Sequence, residues 1–440
     1  MSANGSSLSS KEPPTSTTPS LTSGAVATID EPMAEFSVDP YADLYARRTS
    51  GMSASEVRAL FAVASRPEVV SLAGGMPFVQ ALPREDVLEV VRQVVVELGD
   101  VALQYGGGIG HLALRERLSE LMAEEGAQAD PEAIVVTAGA QQALDLIGKV
   151  FIDPGDEIVV EGPSYVGALS AFGAYEPRYV PVELDDDGMI VEQLEESLLK
   201  GARPKFVYTV PTFHNPAGVT MTTARRERLV ALCREAAVPI IEDNPYGMLR
   251  FEGTRPPTLK SLDPHNVIYL GTASKVFAPG VRLGWAAAEL GVIQRMVLAK
   301  EAADLCGSNL TQLIGERYLS GDRWRGNLRT LVDTYRSRRD AMLTSLNEHF
   351  PEAATWTHPS GGFYVWVTVP DYFDTSALLA AAVERRVAYV PGTAFYPDGR
   401  GRNRMRLSFS FPPEEAIREG VARLGNLLAD EEELYRSLRR

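Results

Sequence analysis

Between about residue 130 and residue 290, seven short runs of β-branched and apolar residues alternate with amphipathic helical stretches. The runs are AIVVT, DEIVVE, PRYVPVEL, KFVYTV, VPIIED, NVIYLG and RLGWAAA. Strands spaced this way by helices point to an α/β fold built on a mostly parallel, seven-stranded sheet. After about Leu290 the pattern changes to long helices, then to GGFYVWVTV and NRMRLSFSF, which read as a smaller α+β region. The last stretch, from PEEAIREG onward, has the periodicity of an amphipathic helix with a solvated charged face.

With 440 residues and 45% apolar side chains, the chain exceeds what one core usually holds, so a large domain with a smaller companion is expected. Residues 1–35, rich in Ser, Thr, Pro and Gly, read as a disordered tail. Residues 36–75 read as the first segment of the small domain, with a helix over Ser55–Ser65, residues 76–320 as the large domain, and 321–440 as the rest of the small one. The 58 acidic and 43 basic residues leave a formal charge of −15, which disfavours a nucleic-acid partner. No apolar run approaches bilayer length and no signal layout opens the chain, so a cytoplasmic protein with no membrane partner is expected. Cys233 and Cys306 sit in apolar helical patterns and read as buried, inert thiols. The five histidines, His111, His214, His265, His349 and His358, lack paired ligand spacing; they read as ordinary loop or surface residues, and no metal is expected.

The chain has only seven lysines, and Lys275 differs from the rest. It lies in GTASKVFAPGVRLGW, directly after the run VIYLG, where an open α/β sheet places its ligands. Thr272 and Ser274 offer hydroxyls and Arg282 a planar fork, a set suited to a phosphate beside an amine. In IIEDNPYG, Asp243 ends another apolar run, three residues before Tyr246. A carboxylate there either caps a helix or pairs with a protonated ring nitrogen. YTVPTFHNPAG brings Asn215 to a strand end, followed by Pro216. VVTAGAQQALDL reads as strand, glycine, helix, which aims the amides of Gly139, Ala140 and Gln141 at one point, as a phosphate requires. Tyr165, in EGPSYVG, offers an aromatic face.

These motifs, with SLAGGMP, ALQYGGGIG and MRLSFSF, resemble the class I and II aminotransferases of fold type I. The resemblance is strongest to the branch containing 2-aminoadipate and kynurenine aminotransferases, and it runs from about Tyr41 to about Leu428. It implies pyridoxal phosphate (PLP) held covalently by Lys275, with Asp243 on the ring nitrogen, Tyr246 and Asn215 on the phenolic oxygen, and Tyr165 stacked on the ring. It implies Arg406 on the substrate α-carboxylate, helped by Asn215, Gly74 and Gly75, and a homodimer in which Tyr105 reaches the neighbouring subunit's phosphate. Arg58 falls where relatives acting on 2-aminoadipate bind the distal carboxylate. The implied reaction passes an amino group from an L-amino acid to a 2-oxo acid, 2-oxoglutarate first among candidates. It is ping-pong, with the freed Lys275 amine as general base. A PLP lyase, decarboxylase or racemase on the same fold is the alternative. A regulator with a fused DNA-binding module would need more chain before the core than is expected here. Two departures from the family pattern stand out: Ala140 and Thr272 occupy positions where relatives often carry serine. The run YGGGIG looks like a dinucleotide loop but follows no clear strand.

Overall fold

Runs rich in Val and Ile pack on both faces when helices cover a sheet from either side, and here they do so with almost no exposed position. The computed structural model describes residues 39–51, 66 and 68–438. The expected tail over 1–35, the helix over Ser55–Ser65 and Arg58 lie outside them. The chain forms two units, Met1–Ala46 and Arg47–Arg440. In the first, the described residues make a short 3-10 turn at Ala42–Leu44, and Tyr45 Oη donates to Asp39 at 2.7 Å.

In the second unit a short strand β1 (Val70–Ser71) precedes the main sheet. Its strands are β2 (Ile134–Thr137), β3 (Glu157–Gly162), β4 (Arg178–Asp185), β5 (Gly188–Met189), β6 (Val207–Thr209), β7 (Ile240–Asp243), β8 (Val267–Thr272) and β9 (Gly284–Ala287). They lie in the order β2-β9-β8-β7-β6-β3-β4-β5. All seven expected strands form, and the core from β8 to β4 is parallel. RLGWAAA, as β9, runs antiparallel to both neighbours. The count of seven is corrected to eight: after β4, Asp187 N donates to Asp185 Oδ1 and Gly188 takes φ +95°, which folds the chain back into β5.

The later region forms a second sheet from β10 (Thr355–Trp356), β11 (Tyr364–Thr368), β13 (Val390–Pro391) and β14 (Arg404–Ser408), ordered β10-β11-β14-β13, while β12 (Val387–Ala388) pairs with β1. The long helices Arg323–His349 and Glu414–Leu438 pack together against it. Cys233 is buried, and burial pushes its thiol up to about 12. Cys306 departs from expectation: it is half-buried, just beyond the end of the helix Leu290–Asp304. Among the described residues no helix is long and apolar enough to cross a membrane, and no group of His, Cys, Asp and Glu could hold a metal ion.

Candidate active site

The parallel strands release their side chains at one edge, and most of the singled-out residues converge there on a cavity of about 540 Å³. After β2, Gly139 takes φ +82° and opens the helix Ala140–Phe151. That φ favours glycine whatever the space, and a Cβ would also stand 2.5 Å from Arg282 Nη2, which donates to Ala138 O at 2.8 Å. Ala140 and Gln141 line the cavity, and Gln141 Nε2 is tied to Gly167 O at 2.8 Å. Tyr165, just before the helix Val166–Gly173, forms part of the wall. At the end of β8, Thr272 Oγ1 lies 3.0 Å from Ser274 Oγ on the following loop, and both residues line the cavity with Lys275.

Lys275 Nζ donates to Gly75 O at 3.3 Å. Burial lowers its pKa, the Tyr364 hydroxyl opposes this, Arg406 and Arg282 lower it further, and Asp243 pulls it back up. A lysine so placed holds less tightly to its proton. Asp243 is 3% exposed; its Oδ2 accepts from Tyr208 Oη at 2.9 Å, and its Oδ1 has no partner. Burial raises its pKa to about 7 against the Tyr208 hydrogen bond, and the charge of Glu161 adds to the rise. Of the alternatives left open by the sequence, capping finds no support, because among the described residues no backbone amide donates to this side chain. Burial likewise raises the pKa of Tyr246, whose hydroxyl lies 3.4 Å from that of Tyr364.

Arg406 enters from the second sheet. Its Nη1 donates to Asn215 Oδ1 at 2.9 Å, its Nη2 to Ala73 O at 2.7 Å, and its Nε remains unpartnered. Gly75 lines the cavity; Gly74 is buried behind it. Tyr105 is not in this wall and is 77% exposed. Arg58 lies outside the described residues.

Sequence reasoning missed four residues. Tyr208 carries the hydroxyl that reaches Asp243; a phenol inside the apolar run KFVYTV was its signal. Tyr364 lines the cavity over Arg406. Glu161, a charge ending DEIVVE, is fully buried and accepts from Thr209 Oγ1 at 2.6 Å and Val210 N at 2.8 Å. His214 is not an ordinary surface residue: it is 1% exposed, accepts from Ala217 N on Nδ1, and brings Nε2 to 3.1 Å from Glu161.

The sequence matches the family described as aminotransferase class I and II over residues 69–424. It is 45% identical to aromatic-amino-acid aminotransferase 1 of Thermococcus litoralis, over 89% of this chain and 95% of that protein. It is 36% identical to 2-aminoadipate transaminase of Thermus thermophilus, over 88% and 97% respectively. The crystal structure of Pyrococcus horikoshii kynurenine aminotransferase in complex with PMP superposes with a TM-score of 0.85 at 43% identity, covering 88% of this chain and 98% of that one. The chain belongs to the class I and II aminotransferases. It is a PLP-dependent enzyme that transfers an amino group between an amino acid and a 2-oxo acid.

Proposed function

We propose that the cavity holds PLP through Lys275 and that the chain passes amino groups from aromatic and acidic L-amino acids to 2-oxoglutarate. One observation carries this reading: a desolvated lysine, an unpartnered carboxylate oxygen and an incompletely bonded arginine face the same cavity. The residues fit the cofactor. Asp243 Oδ1 is a buried acceptor with nothing to accept from, which suits a protonated ring nitrogen. The helix start at Gly139, Ala140 and Gln141, with Thr272, Ser274 and Arg282, would hold the phosphate. Thr272 keeps a hydroxyl there although Ala140 offers none. Tyr165 would stack on the ring, and Tyr246 and Asn215 would face its oxygen.

When bound, PLP supplies an electron sink for the charge left on the substrate's α-carbon. Arg406 binds the α-carboxylate with two donors, since Asn215 fixes its orientation and Gly75 leaves room beside it, with Gly74 behind. Lys275 Nζ, its pKa lowered by burial, accepts the α-proton as general base. Burial is the largest of the influences that leave the Asp243 pKa raised to about 7, so a cation facing it would hold it in its charged form. Arg58 is proposed for the distal carboxylate of acidic substrates.

A homodimer in the cytoplasm belongs to the same proposal, as does the division into large and small domains at residue 320. Support for the dimer comes from the exposed Val96, Leu103 and Tyr105, apolar surface that a second copy would cover while placing Tyr105 at its neighbour's phosphate. The test uses purified protein loaded with PLP and one amino acid, with no acceptor. A transaminase releases a single equivalent of 2-oxo acid per site and stops; continued turnover would assign the chain to the lyases, decarboxylases or racemases. A panel of amino acids with 2-oxoglutarate then fixes the donor.

A further inference from the structure

Tyr364 has no part in the site as proposed above, yet three of that site's residues close around it. It opens β11, and the antiparallel register sets Tyr364 opposite Ser408 and Trp366 opposite Arg406. Tyr364 and Arg406 are therefore diagonal neighbours on one face of the second sheet. The phenol ring lies against the Arg406 guanidinium, 4.3 Å from ring centre to Cζ. Its hydroxyl meets Tyr246 Oη at 3.4 Å. The same hydroxyl presses on Gly75, where any side chain would overlap it, and Gly75 O accepts from Lys275 Nζ. Tyr364 itself is 3% exposed.

We propose that Tyr364 is a positioning residue for the reaction: its ring holds the Arg406 fork in place, and its hydroxyl strengthens Tyr246 as a donor into the cavity. The inference rests on the cofactor reading given above. The hydroxyl hydrogens of both tyrosines rotate freely, so once Tyr246 donates into the cavity its oxygen accepts from Tyr364. Successive hydrogen bonds polarise one another, and Tyr246 then donates more strongly. The titratable and charged groups around the hydroxyl are Tyr246, Tyr165, Lys275 and Arg406.

The experiment compares Tyr364→Phe with Tyr364→Leu in the PLP-loaded enzyme. Tyr364→Phe keeps the ring and removes the hydroxyl. A donor to an anionic oxygen favours the deprotonated state, so its weakening should move the pH midpoint of the bound cofactor's absorbance upward. The same variant should lower kcat/KM about tenfold for every amino acid, mostly through kcat. Tyr364→Leu removes the ring as well and should raise KM for all amino acids about tenfold beyond the Phe variant, because the fork loses its backing. An unshifted midpoint with wild-type kcat/KM in Tyr364→Phe overturns the hydroxyl's role, and equal KM values in the two variants overturn the ring's. Borohydride labelling on Lys275 in both variants shows that the cofactor reading stands, so either null result counts against Tyr364 alone.

Discussion

Glu242 and Asp243 are neighbours at the end of β7, and strand alternation sends them to opposite faces. Glu242 is satisfied: it accepts from Leu259 N at 3.0 Å and Lys260 N at 2.8 Å at the start of the short helix Leu259–Leu262, with Arg226 3.9 Å away. Arg226 in turn gives its hydrogens to Met221 O, Pro257 O, Pro211 O and Thr212. Across the sheet, Asp243 and Arg406 each leave a buried polar atom without a partner. Buried polar groups are costly unless bonded, so the complete set reads as structure and the incomplete set as a receptor for something bound. Glu125 refines the rule. It too is half-satisfied, accepting from Asn244 Nδ2 and Tyr269 Oη on one oxygen only, but it does not line the main cavity.

The sharpest break in this contrast is expected at the lysines. Lys260 is pinned by Pro264 O and Val267 O, whereas Lys275 has one long bond. Lys275→Ala should fold and still bind PLP, yet lose turnover by up to about 10⁴-fold; Lys260→Met should leave kcat at the wild-type value. Borohydride label mapped to any lysine other than Lys275 would refute the assignment.

At the end of β7, Asp243→Asn should slow proton abstraction by about 10³-fold while the melting temperature holds. Glu242→Gln should do the reverse, costing about 1–3 kcal/mol of stability with kcat unchanged. Steady-state rates and thermal melts of the two variants decide it; exchanged outcomes would sink the comparison.

Burial raises the carboxyl of Glu125 from 4.5 to about 7. The folded protein therefore keeps a proton that the unfolded chain has released. Stability from this group is fully present below pH 4.5 and is lost as pH rises through 7. Glu125→Gln should shrink the stability difference between acidic and alkaline buffer by on the order of 3 kcal/mol. Urea unfolding on both sides of that window tests this, and a variant as pH-sensitive as wild type would refute it.

The smallest effects separate two arginines. Arg406→Ala should lower catalytic efficiency for every amino acid by about 1.5–3 kcal/mol. Arg58→Ala should lower it by a similar amount for glutamate, 2-aminoadipate and 2-oxoglutarate alone. Equal losses for leucine or phenylalanine would show that Arg58 reads no substrate group.

The strands and the lysine were legible because their signals are local. β-branched runs, the glycine before QQALDL and the serine-lysine pair after VIYLG each act within a few residues. His214 was misjudged because its burial depends on Glu161, on another strand. Tyr364 was passed over because GGFYVWVTV reads only as a strand, and its neighbours Arg406 and Tyr246 are brought to it by the fold.

From the chain by itself came the parallel α/β sheet, the strand ends on which candidate site residues fall, and Asp243 at the end of the run IIED. Local periodicity and turn chemistry suffice for these, since each is decided by neighbours in sequence. Which of Glu242 and Asp243 meets a helix start and which meets a cavity was settled only in three dimensions. So was the setting of the fork: Arg406 bonds to Asn215 across 191 residues and to Ala73 across 333, and Lys275 reaches Gly75 across 200. Contacts that distant depend on strand order and on how the second sheet packs, and it is they that determine which buried polar atoms remain unpaired and able to bind.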